Sequence, residues 1–167
     1  MTTPQQDRFQ ALVEEHKKIL YKVCVSYCKN PIDRDDLAQE ILVQLWRSFT
    51  RFDGRVRFST WMYRIALNVA ISFYRRERVR TRHVVFGDEH LLEAADETAS
   101  HPEIQLLYQW IGELDPLNKA LVLLYLDGNS YREIADVLGI SETNIATKIS
   151  RLKEALRQEA GIKHGTR

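Results

Sequence analysis

Apolar residues recur every three or four positions along several stretches of the chain, which is the spacing that places them on one face of an α-helix. The clearest stretch lies within residues 58–82, with apolar side chains at Phe58, Trp61, Met62, Ile65, Ala66, Val69, Ala70 and Phe73. Two earlier stretches, residues 7–29 and 33–49, have the same spacing and are separated by Asn30-Pro31, a pair that interrupts helices. We therefore predict three amphipathic helices, the second beginning near Asp33, in one compact all-α domain over residues 1–82.

The same spacing returns in residues 103–167 and predicts a second small helical domain. Asp115-Pro116 has the form of a helix start, with the aspartate as N-cap and the proline at the first helical position. Between the two domains, residues 83–102 are acidic, contain many small residues and show no sustained period. They are predicted to be a linker with at most one short helical turn at His90–Ala95.

The end of the second domain has the signals of a helix-turn-helix unit. Ser130 and Glu133 have the spacing of a capping box at the start of a helix. Gly139 stands where the turn favours a positive φ, and Ser141 can cap a last helix that extends to about Gln158. The predicted fold class is all-α, with a three-to-four-helix N-terminal domain and a C-terminal helix-turn-helix domain joined by an acidic linker.

The composition is that of an ordinary soluble protein, with 44% hydrophobic and 28% charged residues in a chain of 167. No apolar run approaches the roughly 20 residues of a membrane helix, and residues 1–10 lack the apolar core of a signal peptide. A cytoplasmic location is therefore expected. The net charge of +1 is uninformative, but basic zones at residues 75–82 and 148–167 flank an acidic segment and suggest two contacts with a polyanion.

Residue types that carry catalysis or bind metals are not arranged in any recognisable site. Cys24 and Cys28 lie four positions apart, with His16 two helical turns earlier, and a metal would need more ligands than these. We expect both cysteines to be packing residues. There is no glycine-rich phosphate loop, no nucleophile with a base and a carboxylate, and no metal-ligand spacing among the five histidines. We predict neither an enzyme nor a cofactor.

Two predicted helices carry polar faces that suit nucleic acid. Opposite the apolar stripe of residues 58–73 lies a row that continues into an arginine cluster, namely Arg64, Asn68, Ser72, Arg75, Arg76, Arg78, Arg80 and Arg82. Arginine suits phosphates and amides suit base edges, although a solvated helix face has the same pattern. The last helix turns Ile145 and Ile149 inward, and its outward groups could enter a major groove: Asn144, Thr147, Lys148, Ser150 and Arg151. The alternative here is a purely structural helical hairpin.

Taken together and in this order, three segments resemble the extracytoplasmic-function (group IV) sigma factors of the sigma-70 family, which keep only regions 2 and 4. The segment DRDDLAQEILVQLWRSF resembles the region that docks on the RNA polymerase clamp. The segment RFSTWMYRIALNVAISFYRRER resembles the region that recognises and melts the promoter −10 element. The segment NSYREIADVLGISETNIATKISRLKEALR resembles the −35 recognition region. The resemblance implies a region 2-like domain at residues 1–82, a linker at 83–102 and a region 4-like domain at 103–167.

The resemblance also implies site residues. It places polymerase contacts at Asp36, Leu37, Gln39, Glu40, Val43 and Trp46. It places −10 contacts in the base-capturing loop and the helix after it, at Phe52, Arg55, Arg57, Phe58, Trp61, Arg64, Asn68, Ser72, Arg75 and Arg76. It places −35 contacts at Tyr131, Ser141, Asn144, Thr147, Lys148, Ser150 and Arg151.

The implied partners are core RNA polymerase through its β′ and β subunits, promoter DNA, and an anti-sigma factor. The chain departs from the family where Ser72 replaces the usual aspartate or asparagine, and where Ala146 replaces a usual basic residue. The usual −35 sequence of the family therefore does not carry over. The main alternative is a stand-alone helix-turn-helix regulator, which would leave the surface of residues 36–46 and the helix of residues 58–82 without a role.

Overall fold

The computed structural model describes residues 2–80 and 101–164. Within these ranges the chain forms α-helices and one short 3₁₀ helix, with no β-strand, which confirms the predicted all-α class. A first helical group comprises α1–α4 and a second comprises α5–α8. The helices are α1 (Thr3–Glu15), α2 (Lys17–Tyr27), α3 (Pro31–Ser48), the 3₁₀ helix Phe49–Arg51, α4 (Phe58–Arg80), α5 (Pro102–Glu113), α6 (Pro116–Leu126), α7 (Tyr131–Leu138) and α8 (Glu142–His164).

The stretch 7–29, predicted as one helix, is instead two helices that meet at His16. The His16 backbone leaves the helical region, with φ −109° and ψ 17°. Its ring nitrogen Nδ1 lies 2.9 Å from the Leu12 carbonyl oxygen, and its ring packs against Phe58 with centroids 5.0 Å apart. The residue at the break thus contacts both its own helix and α4, and apolar spacing did not predict the break.

The second predicted helix begins earlier than expected. Asn30 caps α3, since its side-chain oxygen accepts a hydrogen bond of 2.9 Å from the Ile32 amide. Pro31 then occupies the first helical turn, where its missing N–H is harmless. The pair Asn30-Pro31 ends one helix and also starts the next, so the start predicted near Asp33 was too late.

The helix starts predicted in the second group are confirmed. The Asp115 side chain accepts a hydrogen bond of 2.9 Å from the Asn118 amide at the start of α6. Ser130 and Glu133 form a reciprocal capping box at the start of α7, with bonds of 3.1 and 2.9 Å. Gly139 ends α7 with φ +71°. The last helix, α8, extends beyond Gln158 to His164.

The central helix α4 is buried more widely than one apolar stripe predicts. Met62, Ala66 and Ala70 are wholly buried in the first group, where α4 packs against α2 and α3. Tyr63 and Leu67 lie outside the predicted stripe and are buried as well. Their burial follows from the second group, because α6 and α7 also contact α4 and the two groups share one apolar core.

Several sequence predictions concern parts of the chain outside the described residues. These are the linker of residues 83–102 except for its last two positions, the helical turn at His90–Ala95, Arg82 and Arg167, and the side chains of Arg78, Arg80 and Lys163. Among the helices that the structure does describe, none combines the length and apolarity needed to cross a membrane.

Candidate polymerase and promoter interfaces

The outer side of α3 forms the first candidate interface, which we call the docking face. It exposes acidic, amide and apolar groups together, at Asp36, Gln39, Glu40, Val43 and Trp46. Val43 is 46% exposed and Trp46 37%, so the face presents apolar side chains beside its polar ones. The Trp46 ring is held edge-on against Phe9, with centroids 5.2 Å apart. An apolar anchor beside acidic and amide groups suits a protein partner with a basic surface.

Leu37 does not belong to the docking face, contrary to the sequence-based assignment. It is wholly buried in the core between the helices of the first group. Glu40 is half-buried, and its Oε2 accepts a hydrogen bond of 2.7 Å from Nη2 of Arg76. Both side chains line a groove of 590 Å³ between α3 and α4. Glu40, a predicted polymerase contact, and Arg76, a predicted −10 contact, therefore form one ion pair in this groove.

The loop of residues 52–57 lies beside an aromatic cluster that extends from α1 to α4. Phe52 and Trp61 are partly exposed, with ring centroids 5.0 Å apart. Phe58, predicted as a direct base contact, is instead buried and packs against both rings, at 5.7 and 5.3 Å. Phe58 therefore supports the two rings that can stack on a base, and its own face is not accessible.

The polar row of α4 lies on the surface as predicted. Arg64, Asn68, Ser72, Arg75 and Arg76 are all exposed, while the helix buries its opposite side. In the loop before it, Asp53 accepts a hydrogen bond of 3.0 Å from the Arg55 amide and pairs with the Arg55 guanidinium at 3.1 Å.

Two arginines of this surface contact the second group. Nη2 of Arg57 lies 3.0 Å from Oε1 of Glu133, and Nη2 of Arg64 donates to the Asp136 carbonyl oxygen at 3.3 Å. A cavity of 470 Å³ separates the loop from α7 and is lined by Arg55, Val56, Arg57, Thr60, Arg64, Glu133 and Asp136. Sequence reasoning missed Glu133 and Asp136 because nothing in the chain indicated that α7 would lie over this loop.

The third candidate interface is the outward side of α8, which we call the recognition face. Ile145 and Ile149 are buried beneath it as predicted. The polar groups above them are exposed or half-buried, at Asn144, Thr147, Lys148, Ser150 and Arg151. This helix follows a tight turn and carries small polar and cationic groups, which is how helix-turn-helix proteins contact the major groove.

Two residues assigned to −35 contacts have structural partners. The Ser141 hydroxyl accepts a hydrogen bond of 3.2 Å from the Asn144 amide and so caps α8. The Tyr131 ring is partly buried and packs near Tyr125, with centroids 6.4 Å apart. Both lie at the start of a helix in the helix-turn-helix unit, and their side chains are already engaged within it.

Lys119 is the most unusual ionisable residue that sequence reasoning missed. It is 2% exposed in α6, with its ammonium group 5.3 Å from the centroid of the Tyr27 ring and 4.7 Å from that of Tyr74. Burial is the main cause that lowers the pKa of Lys119; Lys29 lowers it further, and the Asp115 carboxylate acts in the opposite direction. The sequence did carry one sign that this lysine is buried: it is the single cation inside the mostly apolar run of residues 117–126.

An apolar groove of 220 Å³ lies between α5 and α8 and was also missed. It is lined by Leu106, Leu107, Trp110 and Leu156, with Glu103 and Glu159 among its other lining residues. Apolar spacing predicts which side of α5 is buried, but it does not show that α8 leaves part of that side uncovered.

Comparison with protein families identifies both helical groups. Residues 12–80 match the model of Sigma-70 region 2, and residues 104–156 match that of Sigma-70, region 4. The chain is 31% identical to RNA polymerase sigma factor CnrH of Cupriavidus metallidurans, over 90% of this chain and 85% of that protein. The chain belongs to the sigma-70 family, as an extracytoplasmic-function sigma factor.

Other sigma factors are similar over most of their length. ECF RNA polymerase sigma factor SigW of Bacillus subtilis is 29% identical over 92% of this chain and 89% of its own. The solved structure of CnrH in complex with the cytosolic domain of CnrY has a TM-score of 0.67 at 25% identity, covering 94% of this chain and 90% of that one. Sigma factor RpoE of Bartonella quintana, solved with the anti-sigma factor NepR, has the same fold, with a TM-score of 0.68 at 19% identity over 92% of this chain and 96% of that one.

Membership of this family decides between the functions considered from the sequence. A sigma factor directs core RNA polymerase to promoters and takes part in initiation, and it is not a stand-alone regulator. Sigma factors are non-catalytic initiation factors. The surface of α3 and the length of α4, which a simple helix-turn-helix regulator would leave without a role, belong to region 2 of this family.

Proposed function

We propose that this sigma factor binds polymerase and promoter DNA through three separate surfaces. The docking face of α3 binds the β′ subunit of polymerase, the loop of residues 52–57 with the polar row of α4 captures the −10 strand, and the recognition face of α8 contacts the −35 element. Residues 1–82 act as the region 2-like domain, 83–102 as a linker and 103–167 as the region 4-like domain. The protein acts by binding rather than catalysis, in the cytoplasm, where polymerase and DNA meet.

The observation that carries this proposal is the separation of packing from surface on α3, α4 and α8. On each helix a buried apolar side lies beneath an exposed side that carries amides and charges. Gln39, Asn68 and Arg151 are exposed in this way, above Ile41, Ala66 and Ile149. Polar groups that rigid helices hold in fixed positions are well suited to contact a partner in one defined orientation.

Strand capture has an energetic basis in the aromatic cluster. Removing a base from the duplex stack costs a few kcal/mol, and stacking it on an aromatic side chain returns about 1–3 kcal/mol. Phe52 and Trp61 are the partly exposed rings beside the loop, and Phe58 holds them from below. One captured base can therefore offset much of the local opening of the promoter.

The docking assignment is tested by reversing the charge of Glu40. Glu40→Lys is expected to abolish core binding and transcription, because a cation would meet a basic partner surface. Glu15→Lys, on an exposed position of α1, makes the same charge change outside the docking face and should leave transcription intact. Pull-down with core polymerase and circular dichroism separate lost docking from lost folding. Normal core binding by Glu40→Lys would show that α3 is not the docking helix.

The −10 assignment is tested with the sigma factor bound to core polymerase. The holoenzyme is expected to prefer single-stranded non-template −10 DNA to the same sequence as duplex. Asn68→Ala should weaken binding at one base position, whereas Asn144→Ala, on α8, should not. Fluorescence anisotropy must be recorded at one fixed salt concentration, because phosphate contacts make affinity strongly salt-dependent. Equal affinity for both forms of DNA would contradict strand capture.

We infer that an anti-sigma factor also binds this protein. CnrH was solved in complex with the cytosolic domain of CnrY, and it resembles this chain over nearly its full length. The apolar groove between α5 and α8 is a candidate contact for such a partner or for the polymerase β subunit. Its lining of Leu107, Trp110 and Leu156 with Glu103 and Glu159 suits an amphipathic helix with basic flanks.

A further inference from the structure

The middle of the recognition face consists of small, uncharged side chains. Ala146 is half-buried, and Thr147 and Ser150 are exposed. Ser150 follows the other two by three and four positions, so the three side chains adjoin on the helix surface. Ile145 and Ile149 are buried on the opposite side of α8 and fix which side of the helix faces outward. A helix with such small groups on its outer side can lie close to the base edges of a major groove.

The hydroxyl group of Thr147 is already bonded within α8. Its Oγ1 donates a hydrogen bond of 3.1 Å to the Thr143 carbonyl oxygen, one turn earlier. Threonine commonly makes this bond in helices, and its branched Cβ restricts the other rotamers. A hydroxyl group has only one proton to donate. Thr147 therefore offers a partner an acceptor oxygen and a methyl group, but no hydrogen-bond donor.

These groups match only some of the base edges that the major groove presents. Guanine presents two acceptors there, N7 and O6, which a side chain without a free donor leaves unsatisfied. Cytosine presents an amino donor that the Thr147 oxygen could accept. Thymine presents a C5 methyl group, and the methyl groups of threonine and alanine are the usual contacts for it. Because Ala146 adds a second methyl group beside that of Thr147, the surroundings are apolar and favour thymine over cytosine.

We propose that Thr147 selects a thymine in the −35 element through contact between its methyl group and the C5 methyl group of the base. The proposal rests on the proposed −35 role of the recognition face. It makes Thr147 a specificity-determining residue that donates no hydrogen bond to DNA. The hydroxyl group serves the helix and the methyl group serves recognition.

The test uses holoenzyme formed from the full-length chain and core polymerase. Its preferred −35 element is first selected from promoter DNA that is randomised at those positions. Each thymine of the selected element, on either strand, is then replaced by deoxyuridine, which lacks only the methyl group. At one position the replacement should weaken wild-type binding about three- to fivefold, as expected for one buried methyl group. Fluorescence anisotropy at one fixed salt concentration measures this deoxyuridine penalty.

Two substitutions separate the methyl group of Thr147 from its hydroxyl group. Thr147→Val keeps a methyl group and should retain the deoxyuridine penalty at the same position. Thr147→Ser keeps the hydroxyl group and should reduce the penalty to less than about 1.5-fold. Thr143→Ser removes a methyl group from an exposed position one turn earlier and should leave the penalty unchanged. Circular dichroism checks that the variants keep their helical content.

The possible failures are distinguishable. A penalty that persists in Thr147→Ser assigns the thymine to another residue and overturns the proposal. A penalty lost in Thr147→Val as well as in Thr147→Ser means that the hydroxyl group contacts the base, which also overturns it. So does a selected element with no thymine on either strand, or one without any deoxyuridine penalty. Arg151→Ala judges the −35 role separately: weaker promoter binding keeps that role, whereas no loss in Arg151→Ala or in any Thr147 variant removes it.

Discussion

At the scale of single residues, Cys24 and Cys28 show how burial changes chemistry. Both thiols lie in the core of the first helical group, and desolvation is the largest cause that raises the pKa of each to about 12. A thiol with this pKa is a poor nucleophile and a poor metal ligand at neutral pH, because both roles require the thiolate. Cys24 is buried within α2 and Cys28 directly after its end, so their spacing of four residues reflects packing.

This burial predicts a loss of stability at alkaline pH. The thiols ionise near pH 9 in the unfolded chain and near pH 12 in the folded one, so their contribution is complete below pH 9 and decreases as the pH rises towards 12. Each thiol adds a slope of up to about 1.4 kcal/mol per pH unit. Urea unfolding at about pH 8 and pH 10 should show a shallower decrease for Cys24→Ala/Cys28→Ala than for the wild type. Equal slopes would show that the thiols ionise alike in both states.

A second prediction at this scale concerns Arg151 on the recognition face. Arg151→Ala should weaken holoenzyme binding by about 1–3 kcal/mol on the correct promoter if the guanidinium contacts a guanine in bidentate fashion. Arg157→Ala, an exposed arginine of the same helix that pairs with Glu154 at 3.6 Å, is the matched control. A loss that is equal on all sequences would assign Arg151 to a phosphate. No loss in filter binding would remove it from the interface.

At the scale of helices and turns, Gly139 decides how α7 meets α8. Its φ of +71° is strained for any residue with a Cβ, although no atom lies within 4 Å of the place that a Cβ would take. Gly139→Ala should therefore destabilise the protein by about 1–2 kcal/mol through backbone conformation alone. Gly112→Ala, at an equally open position inside α5, should instead stabilise it by up to about 1 kcal/mol.

Thermal or urea unfolding of the two glycine variants provides the comparison. Gly139→Asn should recover part of the loss, because asparagine tolerates the left-handed region better than alanine does. A Gly139→Ala variant as stable as the wild type would mean that the turn can adopt another conformation. In that event the angle between α7 and the recognition face would not depend on this glycine.

At the scale of the whole molecule, the two helical groups are held together by both charged and apolar contacts. The ion pair between Lys22 and Asp127 and that between Arg57 and Glu133 cross the interface, as does the buried contact of Tyr27, Tyr74 and Lys119. Exposed or partly exposed pairs contribute up to about 1 kcal/mol each and are screened by salt, whereas apolar burial is not. The buried contact should therefore dominate.

Small-angle X-ray scattering tests which contact dominates. Raising the salt concentration from about 0.1 M to about 1 M shortens the screening length from about 10 Å to about 3 Å. The radius of gyration of the free protein is expected to stay constant over this range. Lys119→Glu, which places an anion against two aromatic faces, should increase it at every salt concentration while the helical content is retained. An increase with salt in the wild type would show that the ion pairs hold the groups together.

The sequence by itself determined most of what is local. Amphipathic spacing predicted the helices except for the break at His16. The capping groups at Asp115, Ser130 and Ser141 predicted the starts of α6, α7 and α8, and Gly139 predicted the turn of the helix-turn-helix unit. These features depend on side chains within a few residues of one another, so spacing along the chain is enough to find them. The three motifs in order also indicated the family, which the comparison with known sigma factors confirms.

Only the tertiary structure decided features that depend on contacts between distant residues. Leu37 and Phe58 carry residue types suited to an interface but are buried by neighbouring helices. His16, where α1 ends and α2 begins, packs its ring against Phe58 of α4. The contacts of Glu133 with Arg57 and of Lys119 with two tyrosines join residues that are dozens of positions apart. The spacing of apolar residues shows which side of a helix is apolar. Which residues cover that side depends on how the whole chain packs.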